Sequence, residues 1–78
     1  MVTPESIKSS IEVAIACDAL EVTGDGQHFE ALIVAEAFRG LSRLARHRLV
    51  YAALGDRMRA EIHALSMTTL TPDERGNG

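Results

Sequence analysis

Cysteine is nearly absent: Cys17 is the only one in 78 residues. An internal disulfide framework is therefore impossible, and a reducing compartment fits. Aromatic side chains are almost as scarce. Phe29, Phe38 and Tyr51 are all there are, which leaves little surface for stacking on bases. A chain this short buries only roughly 60–65% of its unfolded surface, so its core must be small and mostly aliphatic. Positive charge is in deficit. The formal net charge is −3, and the whole molecule does not advertise nucleic-acid binding. No run approaches about 18 uninterrupted apolar residues, so no membrane span is expected. The opening "MVTPESIKSSIEVAIAC" lacks a basic region followed by a continuous apolar run and does not read as a signal peptide. The expectation is a soluble, cytoplasmic, single-domain protein.

Motifs of catalysis are missing as well. There is no CxxC, HExxH or GxSxG, and no spaced carboxylate pair. No phosphate-cradling glycine loop opens a helix: "GDGQ" joins two strands and carries an aspartate that would repel phosphate. No enzyme active site is visible, and the chain is expected not to be an enzyme.

What is present is strong periodicity. Thr3 is a candidate N-cap, Pro4 fits the first helical position, and Ile7, Ile11, Ala14 and Ile15 recur at helical spacing. An amphipathic helix is expected over residues 4–16. Leu20 and Val22 then alternate with Glu21 and Thr23, "GDGQ" supplies a turn, and a second strand runs over 28–35. Phe29, Ala31, Ile33 and Ala35 share one face of it, and Phe29 and Ile33 are assigned to the core. "FRGLSR" turns the chain, with Ser42 capping a helix over 43–60. Val50, Leu54 and Met58 line one side of this helix, with Leu44 and Tyr51 beside them. Gly55 inside it costs about 1 kcal/mol relative to Ala and suggests close packing. A third strand is expected over 61–68. Residues 1–70 form the domain, and 71–78 are a polar tail that can start a helical turn at Pro72. The strand–helix–strand unit imposes a right-handed crossover and hence parallel strands. The expected fold class is α+β: helix, strand, strand, helix, strand, with a mixed three-stranded sheet and helices on one face.

Each residue able to carry chemistry also has an ordinary role. His63, near the start of the third strand, could simply be structural. His28 could hydrogen-bond the turn it follows. His47 lies beside the Val50 and Tyr51 stripe and could be a half-buried packing histidine. Cys17 closes the first helix, where a free buried cysteine is usually inert.

Two stretches carry a family likeness. "GDGQHFEALIVAEAFRGLSRLARHRLVYAAL" and "IHALSMTTLTPDE" hold the pieces HF, F-R-G, R-H-R-L-V-Y and IHALS…TLTP in a fixed order. In these the chain resembles the BolA family over nearly its whole length. The resemblance implies a small domain like a type-II KH domain. It implies a monothiol glutaredoxin as partner and a two-iron, two-sulfur cluster bridging the two proteins, for cluster trafficking or iron sensing. The glutaredoxin cysteine and glutathione would hold one side. On this chain, the family's histidine near the third strand matches His63. A second ligand comes from the region of the hairpin turn, which here holds neither histidine nor cysteine. His28, at the turn's exit, is favoured over Cys17, although sulfur is the softer ligand. Two imidazoles in place of two thiolates raise a cluster's potential and release metal as they protonate. Some relatives are also described as DNA-binding regulators of stress response and cell shape, which is the alternative function.

One basic cluster remains. Arg43, Arg46 and His47 fall at i, i+3 and i+4 in "ARHRLVYAALGDRM" and the residues before it, with Arg39 just upstream. It is a solvated face, a docking patch for an acidic partner, or a DNA contact. No GxxG loop accompanies it, so partner docking is favoured over DNA.

Overall fold

The structure is a computed structural model and describes residues 2–60, 62 and 64–77. Helix α1 spans Pro4–Ala14 and starts as the sequence signals. The Thr3 hydroxyl accepts the Ser6 N–H at 3.1 Å, and the Ser6 hydroxyl oxygen accepts the Thr3 N–H at 3.0 Å. This reciprocal cap satisfies two of the N–H groups that a helix start leaves unpaired. Ile7, Ile11 and Ile15 form the buried stripe. The helix stops two residues short of expectation, and Ala14 is exposed.

Strands β1 (Ala19–Gly24) and β2 (His28–Val34) make the expected antiparallel hairpin. Gly24 lies opposite Phe29, and a Cβ there would collide with the Phe29 ring and lie 2.6 Å from the His28 carbonyl oxygen. Glycine at this position lets the ring fold back over the strand. Asp25 closes the turn: its Oδ1 accepts the N–H groups of Gln27 and His28, each at 2.9 Å. These two bonds, His28 first, hold its carboxyl below the usual carboxylate range.

A 3₁₀ turn (Glu36–Phe38) leads to α2 (Arg43–Leu54), whose N-cap Ser42 accepts the Ala45 N–H at 3.1 Å. The single helix expected over 43–60 is two. α2 ends at Gly55, at φ +59°, and α3 is one turn over Arg57–Ala60. Nothing lies within 4 Å of a Cβ built on Gly55, so its role is the left-handed backbone that stops the helix, not close packing. Leu44 and Tyr51, placed beside the core stripe by spacing, are 60% and 40% exposed. Val50 and Leu54 are the buried residues of this helix, because α2 packs against α1 and β3 along a narrower stripe than the apolar residues offer.

Strand β3 spans Ala64–Leu70, a few residues later than expected. The chain before it is still closing α3: the Ile62 N–H donates to the Arg57 carbonyl at 2.9 Å, and the Ile62 side chain is buried. The sheet order is β1-β2-β3, with β2 and β3 parallel as the crossover requires. Leu20, Phe29, Ala31 and Ile33 face the helices and join Ile7, Ile11, Val50 and Leu54 in one core. Glu21, Thr23, Glu30, Ser66 and Thr68 line the exposed opposite face.

The final segment is more than a tail. Thr71 is buried, and its hydroxyl accepts the Glu74 N–H at 3.3 Å while Glu74 Oε1 accepts the Thr71 N–H at 2.8 Å. This is a second reciprocal cap, written in the sequence as "TPDE", and it starts α4 (Pro72–Asn77). No helix among the described residues is long and apolar enough to cross a membrane.

Candidate functional site

Register sorts the sequence-predicted residues into two ends of the sheet. At the turn end, His28 opens β2 and pairs with Ala64, which opens β3. His28 is exposed, and its backbone is fixed by Asp25. His63, the favoured ligand, lies outside the described residues. Cys17 is at the other end. The Asp18 N–H donates to the Val34 carbonyl at 2.7 Å, so Cys17 sits beside the last residue of β2. Six strand steps separate that end from His28, about 20 Å. A small cluster held near His28 is out of reach of Cys17. The thiol is also poorly prepared to bind metal. Its S–H donates to the Ile15 carbonyl at 3.3 Å, and burial, then the charges of Glu12 and Asp18, push its pKa up and disfavour the thiolate.

The basic cluster divides in a way that spacing does not reveal. Arg46 points inward, its side chain only 12% exposed. Its Nη1 donates to Glu74 Oε1 at 2.7 Å and to the Thr69 carbonyl at 3.0 Å. Its Nη2 donates to Glu74 Oε2 at 3.2 Å, and its Nε to the Leu41 carbonyl at 3.0 Å. The guanidinium also lies 5.9 Å from the centre of the Phe38 ring. Arg46, first among the causes, holds the Glu74 carboxyl down to about 2. Arg39 pairs with Glu36 and, at 3.0 Å, with Asp73. Both carboxylates keep its guanidinium charged. Thus Arg39 and Arg46 clamp α4 to the body of the domain.

Arg43 and His47 are left facing outward. Arg43 is exposed and His47 half-buried, and among the described residues neither has an ion-pair partner. They line a groove of about 600 Å³ together with Leu41, Arg46 and Glu74 and with Met67, Thr69 and Leu70 of β3. Leu41, Met67 and Glu74 were not among the candidate residues. The "TPDE" cap could have pointed to Glu74, but nothing local pairs it with Arg46, 28 residues earlier.

Comparisons with known proteins agree with this architecture. The family model described as "BolA-like protein" matches residues 2–74. A solved BolA homologue from Coxiella burnetii is 48% identical, with a TM-score of 0.82, and the match covers 97% of this chain and 99% of that one. The BolA domain of SufE1 from Arabidopsis thaliana is 34% identical at a TM-score of 0.83, covering 91% and 93%. Human BolA-like protein 1 is 35% identical over 77 residues, covering 86% of this chain and 56% of that protein. The chain spans between 56% and 59% of the length of the mammalian BolA-like 1 proteins it matches. The chain belongs to the BolA family.

Proposed function

We propose that the protein is a non-catalytic partner of a monothiol glutaredoxin and shares a bridging two-iron, two-sulfur cluster with it. His63 is the main ligand from this chain and His28 the second, with the glutaredoxin cysteine and glutathione on the other side. One observation carries the choice of His28. It is an exposed imidazole at the end of β2 where β3 begins, whereas Cys17 is about 20 Å away along the strand with a thiol kept protonated. The donor set suits a cluster meant to leave. Two neutral imidazoles raise its potential relative to thiolates, and protonation weakens the iron–nitrogen bonds. The turn contributes by fixing where His28 leaves the backbone, and Arg43, with the His47 imidazole beside it, offers positive charge to an acidic partner surface. The presence of a BolA domain in SufE1 of Arabidopsis fits this reading. Regulation through DNA has less support, because Arg39 and Arg46 are occupied within the fold.

Co-expression with a monothiol glutaredoxin tests the proposal. The copurified complex should be coloured, with visible absorption and circular dichroism from the cluster. His63→Ala should abolish or strongly alter the spectrum, His28→Ala should change it less, and Cys17→Ser should leave it nearly untouched. An unchanged spectrum in His63→Ala would defeat the assignment. A colourless complex would defeat the shared cluster itself.

A further inference from the structure

β3 is an edge strand, and its outer edge opens into the groove beside α2. Parity shows which backbone groups face that way. The Leu70 carbonyl accepts the Ala35 N–H, on the side of β2. In a parallel ladder, residues of one parity turn both backbone groups toward the neighbouring strand, and those of the other parity turn both away. Leu65, Met67 and Thr69 therefore face outward. The Thr69 carbonyl agrees, because it accepts from Arg46 across the groove. The N–H and C=O of Met67 and the N–H of Thr69 remain. Among the described residues, no side chain or loop hydrogen-bonds them.

A row of alternating donors and acceptors at a sheet edge is a template for another strand unless it is blocked. Within Ala64–Leu70 itself β3 holds no proline and no charged residue, and the one block is at its Thr69 end, where Arg46 caps the carbonyl. The groove also states a preference in side chains. Arg43 and His47 line it from α2, and exposed Leu41 and half-buried Met67 add apolar surface. An added strand would present every second side chain to these residues. We propose that the open edge of β3 at Met67 and Thr69 takes a short extended peptide, bearing carboxylates at alternate positions, as a fourth strand. Single-stranded nucleic acid fits the groove less well. Its phosphates accept hydrogen bonds and cannot donate to the Met67 carbonyl as a peptide N–H can. A second copy paired β3 to β3 would bring two sets of Arg43 and His47 together. This inference does not rest on the shared cluster, since the groove uses neither His28 nor His63.

The test titrates the ¹⁵N-labelled chain with a blocked seven-residue peptide of alternating glutamate and valine. Amide exchange at Met67 and Thr69 should slow on binding. Two versions of the peptide, N-methylated at alternate residues in one phase or the other, should differ, and the one blocked on the bonding edge should bind about tenfold more weakly. Arg43→Glu should weaken binding severalfold and flatten its salt dependence. The counterpart with lysine for glutamate should bind poorly. Unchanged exchange at Met67 and Thr69 with peptide bound would overturn the proposal, as would equal binding of both methylated versions. Preferential capture of an oligothymidylate in the same groove would assign it to nucleic acid instead. Self-association through β3 without peptide would assign the edge to a second copy.

Discussion

The two ends of the sheet are built on opposite plans. The end carrying α4 is tied down by long-range charge. Arg39 and Arg46, from the middle of the chain, hold Asp73 and Glu74, and Arg46 also fastens the Thr69 and Leu41 carbonyls. The turn end is held by one exposed carboxylate, Asp25, bonded to two N–H groups within three residues. The first plan uses Arg39 and Arg46 to fix α4 and leaves only Arg43 and His47 facing outward beside the β3 edge. The second leaves an imidazole exposed on a defined backbone. Charges adjacent in sequence therefore need not act together: Arg43 and Arg46 are three residues apart, yet one faces solvent and the other is a structural clamp.

The largest effect should come from breaking the clamp. Arg46→Ala leaves the Thr69 and Leu41 carbonyls without donors and uncovers the Phe38 ring. It should destabilise the fold by about 2–3 kcal/mol, read from the midpoint of urea denaturation. Arg43→Ala, one turn earlier, should change stability by less than about 0.5 kcal/mol. Equal losses in the two variants would erase the distinction between clamp and surface.

Acid should sharpen the same contrast. The Glu74 carboxyl titrates at about 2 in the folded protein, below its ordinary 4.5. A depressed carboxyl stabilises the fold above its unfolded value and loses that contribution as pH falls through its folded value. Undocking of α4 should therefore develop between about pH 4.5 and 2, followed by the NMR signals of Thr71 and Glu74. Glu74→Gln should remove this phase. Retention of the phase in that variant would place the acid sensitivity elsewhere.

The smallest effect belongs to the turn. Asp25→Ala should leave global stability close to wild type while the Gln27 and His28 amides exchange faster. Asp25→Asn, which keeps the accepting oxygen, should preserve most of their protection. Equal exchange in both variants would show that the turn holds itself without this side chain.

How legible each part was follows from range. The α1 cap, the hairpin and its turn depend on partners within three or four residues, and periodicity finds such features. The parallel pairing of β2 and β3 followed from handedness. The length of α2 did not, because Gly55 can sit within a helix or end one and only its positive φ decides. Leu44 and Tyr51 have the spacing of core residues, but burial also depends on how much of the helix α1 and the sheet together cover. The pairing of Arg46 with Glu74 joins residues 28 apart, and no local pattern records it. At the candidate site, the placement of His28 at a strand start was legible from the turn before it. The distance between His28 and Cys17 was not, since it depends on the register of β1 against β2.

That separation is tested directly by the cluster proposed for the glutaredoxin complex, in its reduced form. Pulsed electron paramagnetic resonance reads nitrogen ligands to iron through their hyperfine coupling. Two strongly coupled nitrogens are expected in the wild-type complex and in Cys17→Ser, and one in His28→Ala. A wild-type spectrum with a single coupled nitrogen, unchanged by His28→Ala and lost with the cluster in Cys17→Ser, would contradict the account and move the second ligand to the far end of the sheet.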